Sequence, residues 1–281
     1  MRFLHFILSH SIFIACCAAA LCWQTNTLLH ISGSTDMYGF IFFSTLSSYN
    51  FYWLLSKFYF SARKFNLLFL KKNISFFLLF IIAAAGTLFF LSELKHICIY
   101  VIGAVMLTLL YSLPLWPFTF SKKLQKAGFL KTTLLSLTWA YVTTVIPAAV
   151  VLLDSFLPVL ILFIARFFFM LLLCTIFDMR DIAVDKMHGL HSLATDVGKK
   201  KLSVIIIFIF FLYLFAGLLV RFYFKENAQM VAFMITVAIV WAVYRLSLKS
   251  RDYIFYYFLV DGLMLISALA TYLATFHNAV S

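Results

Sequence analysis

Apolar residues fall into nine long runs separated by shorter polar stretches, at roughly 3–23, 37–56, 74–92, 97–117, 132–153, 156–177, 202–222, 229–247 and 254–275. A helix needs about 20 such residues to cross the hydrocarbon of a bilayer, and the runs are close to that length. In lipid the backbone must satisfy its own hydrogen bonds, which leaves helices as the economical solution for runs of this kind. The pattern predicts an all-α, polytopic membrane protein: a nine-transmembrane-helix bundle forming a single domain over 1–281. Within it, Pro147 is expected to kink the fifth run or mark its end, because proline removes a helix hydrogen bond. Pro158 fits the first turn of the sixth, where the missing N–H costs nothing.

Composition agrees. Hydrophobic residues make up 65% and charged residues only 11%, against about 25% charged in soluble domains. The net charge of +12 raises nucleic acid as a partner, but its distribution argues otherwise. Lys57, Arg63, Lys64, Lys71 and Lys72 share one connection, and Lys122, Lys123, Lys126 and Lys131 the next but one. Arg180, Lys186, Lys199, Lys200 and Lys201 follow in a third, and Arg245, Lys249 and Arg251 in a fourth. The alternate connections hold only Lys95, Arg221 and Lys225. The positive-inside rule then predicts a cytoplasmic N-terminus and, after an odd number of spans, a C-terminus outside. The expected partner is the lipid bilayer, not nucleic acid. Run 3–23 reads as a first span, not a cleaved leader. Cys16, Cys17, Cys22, Cys98 and Cys174 lie in apolar runs without metal-ligand spacing and read as small hydrophobes. Aromatic residues near the run ends, among them Tyr49, Tyr52, Trp53, Tyr111, Tyr253, Tyr256 and Tyr257, suggest an interfacial belt.

Chemistry concentrates where the sixth run ends, at Phe177-Asp178-Met179-Arg180-Asp181-Ile182-Ala183-Val184-Asp185-Lys186. If helical, Asp178, Asp181 and Asp185 lie within about 60° of one another on one face. Carboxylates so placed repel, and a hard divalent cation such as Mg²⁺ is the natural compensation. Two further ionisable residues fall inside runs. Arg166 sits roughly 16 Å from the end of the sixth run and Asp261 roughly 10 Å from the end of the ninth. Both are expected to line a central cavity and to pair with each other, since ionisable groups inside a bilayer face a cavity or a partner and are functional by default.

The cluster resembles the second aspartate-rich motif of the UbiA-type intramembrane prenyltransferases. Asp178, Arg180, Asp181, Asp185, Gly189, Leu193 and Gly198 match that motif with the same gaps, while His191, Ser192, Ala194 and Val197 replace its usual Arg, Thr, Pro and Leu. Tyr111-Ser112, Gly128-Phe129-Leu130-Lys131 with Trp139 and Pro147, and Asp261-Gly262 resemble other parts of the family's pattern. The resemblance implies a multi-pass protein of a bacterial cytoplasmic membrane. It implies Mg²⁺ held by Asp178, Asp181 and Asp185, and transfer of an isoprenyl group from a prenyl diphosphate to a lipophilic or aromatic acceptor. Asp181, Asp185 and Lys131 would serve catalysis. Asn50, Tyr111, Lys131, Arg166, Arg180 and Asp261 would bind substrate, with Lys122 and Lys123 as additional diphosphate candidates.

One part departs from the family. Its first motif places an Asn and two Asp at the end of the second span. Here Asn50 aligns with the Asn, but Leu54 and Phe58 stand at the acidic positions, and no acid occurs between Asp36 and Glu93. Three readings remain open on these residues: a prenyltransferase, a non-catalytic relative that binds a prenyl lipid or a partner enzyme, and a small transporter.

Overall fold

The structure, a computed structural model, describes residues 2–60, 73–112, 128–187, 193–224, 226–249 and 251–280, with the backbone alone at 2, 59–60, 183–187, 199, 221 and 278–280. Every regular element among them is helical. In chain order these are α1 (Arg2–Ser9), α2 (Ile12–Leu28), α3 (Thr35–Phe60), α4 (Ile74–Glu93), α5 (Cys98–Ser112), α6 (Gly128–Ala140), α7 (Phe156–Met187), α8 (Leu193–Val197), α9 (Lys199–Phe224), α10 (Asn227–Ser247) and α11 (Asp261–Val280). Short π-helical segments, Tyr141–Val145 and Phe255–Val260, follow α6 and precede α11.

Six helical stretches among the described residues are long and apolar enough to cross a membrane: Ile74–Glu93, Lys95–Ser112, Phe156–Ile182, Lys200–Phe224, Asn227–Ser247 and Phe255–His277. A seventh exists if the pair Phe3–Ser9 and Ile12–Leu28, bent by 65°, counts as one span. Large apolar side chains on the outer faces, such as Leu78, Ile82 and Phe89 of α4 and Phe208, Phe211 and Phe215 of α9, are exposed, as lipid contact requires. Among the described residues the protein is all-helical, with several helices long and apolar enough to span a membrane, as in a multi-pass membrane protein.

The remaining apolar runs are modified by their polar residues. Helix α3 covers 37–56 and is long enough, but Ser47, Ser48, Tyr49 and Asn50 dilute its apolar character. Run 132–153 is not one uniform helix: α6 gives way to the π-helical segment and then to turns through residue 154. Pro147 explains part of that. Lacking an N–H, it leaves the Thr143 carbonyl without its helix donor, and the Thr25 hydroxyl of α2 supplies one at 2.7 Å. Run 3–23 breaks at His10-Ser11, where Ser11 adopts a left-handed φ of 63°. The Asn50 amide donates to the His10 carbonyl at the break, 3.1 Å, and to Leu46 of its own helix, 2.8 Å. A polar residue buried in α3 therefore stabilises the bend of the neighbouring helix.

Sequential neighbours pack together along much of the chain, α2 on α3, α3 on α4, α5 on α6, α6 on α7, α7 on α9, α9 on α10 and α10 on α11, and α11 returns to α2. Helix α7 is the most buried of the candidate spans and α4 the least. The 32-residue α7 runs without interruption from Pro158 through the acid cluster, as its sequence predicts. Beyond it, Gly198 takes φ +79° and its N–H bonds the Ala194 carbonyl at 3.1 Å, ending α8 in a left-handed cap that favours glycine. Asp196 of α8 accepts the N–H of Gly128 at 3.0 Å, which places a carboxylate on the N-terminus of α6.

Candidate functional site

A cavity of about 960 Å³ opens among helices α1 to α7 and α11. Its volume suits a small-molecule or lipid head-and-tail ligand. Asp178 and Asp181, three residues apart on α7, both line it, as their shared helix face predicts. Lys131 of α6, Tyr111 of α5 and Asp261 of α11 join them. The structure thus brings five of the expected site residues to one space. Asp185 lies further along α7 in the expected helical register, and the description there is of its backbone. Lys122, Lys123, Gly189, His191 and Ser192 lie outside the described residues.

The two described carboxylates of the cluster are held differently. Thr132, one turn along α6 from Gly128, donates its hydroxyl to Asp178 Oδ2 at 2.6 Å. Asp181 receives a two-pronged grip from its neighbour Arg180, Nε to Oδ1 at 2.7 Å and Nη2 to Oδ2 at 2.9 Å. Adjacent residues on a helix point apart, so something must turn the guanidinium back. It lies about 5 Å from three rings: 5.0 Å from Phe177 and Tyr256 and 4.9 Å from Tyr257. These cation–π contacts, with a 3.5 Å bond to the Tyr257 hydroxyl, fold Arg180 over Asp181. Arg180 is not among the residues that line the cavity. Its structural work is to orient Asp181 and to neutralise part of its charge.

Asp261 follows the π-helical segment directly and is 6% exposed. Among the described residues its carboxyl group has no hydrogen-bond or ion-pair partner, although its backbone carbonyl accepts from Cys17 at 3.5 Å. π-Helical turns often occur at functional positions, and here one carries an unpaired acid to the cavity wall.

The aromatic residues expected in an interfacial belt have another place. Tyr49, Tyr52, Trp53, Tyr111, Tyr253 and Tyr257 line the cavity. The Trp139 indole donates to the Tyr49 hydroxyl at 3.1 Å, linking α6 to α3, and Tyr52 stacks on Tyr111 with centroids 5.1 Å apart. Burial, with Tyr257 beside it, pushes the Tyr253 phenol up to about 12, so it is a neutral donor at ordinary pH. His5 and His10, which sequence reasoning did not single out, also line the cavity. His10 Nε2 meets Ser75 Oγ at 3.0 Å, and its ring lies against Phe6 and Phe76. A histidine between two serines in an otherwise apolar run was the available signal.

Besides Arg180, two expected site residues do not line this cavity. Asn50 is fully buried and does not line the cavity. It holds the α1–α2 bend, because its amide donates to two backbone carbonyls, one of them at the break. Arg166 lines a separate pocket with Gln24, Ser267 and Thr271, and its Nη2 donates to Thr25 Oγ1 at 3.3 Å and the Leu21 carbonyl at 3.4 Å. Arg166 and Asp261 form no ion pair. Their positions on α7 and α11 direct them to different cavities.

Among the described residues no three His, Cys, Asp or Glu side chains gather as a metal cage. The donor set fits a different arrangement. Mg²⁺ commonly takes one or two carboxylates and completes its shell with water and substrate phosphate. Asp178 and Asp181 offer such a pair, and a carboxylate bound by Arg still has lone pairs to give.

Compared with family models, curated proteins and solved structures, the chain matches none. Its functional reading therefore rests on its own residues.

Proposed function

We propose that the protein is an intramembrane prenyltransferase of UbiA type, built as a nine-helix bundle with its N-terminus in the cytoplasm and its C-terminus outside. The observation that carries this reading is the convergence of Asp178, Asp181 and Lys131 on one cavity whose walls also carry many aromatic rings. An ionic rim beside an aromatic chamber suits a substrate with a diphosphate head and an isoprenoid tail.

Asp178 and Asp181 would hold Mg²⁺, whose chemistry is to neutralise charge on the departing diphosphate. Lys131 would contact the same phosphate oxygens as charge grows on them, which is where fixed positive groups accelerate a reaction. Arg180 keeps Asp181 oriented. The allylic C–O bond breaks with its electron pair leaving on diphosphate. The resulting carbocation lies among rings such as Tyr49, Tyr52 and Trp139, whose faces stabilise positive charge, in a chamber that limits access of water. The acceptor's electron pair then forms the new C–C bond, and the acceptor loses a proton.

A second reading, a non-catalytic relative that binds a prenyl lipid or a partner enzyme, is favoured by one feature: Leu54 and Phe58 stand where the family's first motif has acids. One experiment separates the two. Purified protein is incubated with a radiolabelled prenyl diphosphate, Mg²⁺ and a panel of aromatic acceptors. The transferase reading expects labelled product and Mg²⁺-dependent binding, both lost in Asp181→Asn. Binding of the prenyl chain without product or Mg²⁺ dependence would establish the second reading.

A further inference from the structure

The second pocket carries an inference independent of the prenyltransferase reading. Arg166 is 4% exposed and lines a pocket of about 80 Å³ together with Gln24, Gln229, Thr236, Ser267 and Thr271. A buried guanidinium inside a bilayer calls for a counter-charge. None is in contact: no acid lies within 4 Å of Arg166 among the described residues, and its two protein hydrogen bonds both use Nη2. Glu226 also lines the pocket, but its carboxylate lies 3.4 Å from His30 Nε2 and does not pair with Arg166. The remaining guanidinium donors are therefore left for a ligand.

The surrounding polar groups are already organised. The Gln24 amide donates to the Ser267 hydroxyl at 3.0 Å, to the Thr271 hydroxyl at 2.8 Å and to the Ser267 carbonyl at 3.0 Å. Gln229 donates to the Thr271 carbonyl at 3.3 Å and to Thr275 at 3.0 Å. These bonds fix the walls of the pocket while leaving Arg166 as its only cation among the described lining residues. Its volume equals that of a few waters, at roughly 10–15 Å³ each, which suits one carboxylate group. Glu226 at the wall disfavours a dianion. Half-exposed Val220, Phe224 and Met230 provide an apolar exit towards lipid between α9 and α10.

We propose that this pocket binds the carboxylate head of a single-chain amphiphile, with Arg166 as its counter-ion and the tail leaving between α9 and α10.

The test is equilibrium binding of radiolabelled laurate to the full chain in nanodiscs, with empty nanodiscs as background. Saturable binding at one site is expected. Arg166→Gln should weaken it at least tenfold. Thr236→Leu should do the same by filling the pocket, and it keeps the fold because the Thr236 hydroxyl bonds only the Ala232 carbonyl of its own helix. Asp181→Asn, in the other cavity, should leave laurate binding unchanged. Acetate at millimolar concentration should fail to displace laurate, because the tail contributes to binding, and full displacement would overturn the amphiphile as the ligand. The proposal is overturned if laurate does not bind above background, if lauryl alcohol binds equally well, or if Thr236→Leu retains full binding.

Discussion

The Thr132 hydroxyl lies 2.6 Å from the Asp178 carboxylate, so the first acid of the cluster is oriented from the neighbouring helix. Replacing Thr132 by Val keeps the shape and removes this donor. A hydrogen bond to a charged group contributes about 1.5–3 kcal/mol, and unfolding in detergent should show a loss of that order or smaller. Mg²⁺-dependent diphosphate binding should weaken with it, and Thr132→Ser should restore both. Unchanged affinity in Thr132→Val would show that Asp178 does not depend on this bond.

Arg180 and Asp181 form the second relationship. Lys cannot reproduce a planar two-pronged grip or its stacking among three rings. Arg180→Lys should therefore lower diphosphate affinity, and Arg180→Leu should lower it further, by tenfold or more. Titration of diphosphate at saturating Mg²⁺ measures both. An affinity for Arg180→Lys equal to that of the parent would remove the positioning role.

Asn50 should behave differently from the cluster residues. Asn50→Leu removes the donor to the His10 carbonyl and leaves that buried group unsatisfied, at a cost of about 1–3 kcal/mol. Thermal unfolding should register the loss, while diphosphate affinity in the folded fraction should stay near that of the parent. A selective loss of affinity with unchanged stability would reassign Asn50 to the site.

Asp261→Asn tests whether the acid without a partner serves the fold or the ligand. Replacing a buried carboxyl group that has no hydrogen-bond partner among the described residues by the isosteric amide should leave stability close to that of the parent. Turnover with a prenyl diphosphate and acceptor should fall. Destabilisation together with unchanged turnover would show a structural role.

Gly198 provides a local test. A Cβ there meets nothing within 4 Å, but φ is +79°, so the cost of Gly198→Ala is conformational, about 1 kcal/mol. Gly198→Asn should cost less, because Asn tolerates this region better. Equal stability of the Ala variant and the parent would exclude the left-handed cap.

Much of the architecture follows from local sequence. Apolar runs set helix lengths because the bilayer thickness is fixed, and α7 continues through the acid cluster because nothing between Phe156 and Met187 breaks it after Pro158. The i, i+3 spacing alone puts Asp178 and Asp181 on one face, and both line the same cavity. Gly198 ends a helix as its residue type suggests. What the sequence could not determine was direction within the bundle. Lipid and protein core are both apolar, so apolar periodicity does not distinguish an outward face from an inward one. Hence Tyr49, Tyr52 and Trp53 read as a belt yet line the cavity, and Arg166 and Asp261 read as one site yet face two. Arg180 turning back onto Asp181, and Asn50 supporting the bend at His10, depend on rings and carbonyls brought from distant parts of the chain. Only tertiary packing supplies those partners, because a side chain inside a bilayer takes whichever polar group the neighbouring helices place within reach.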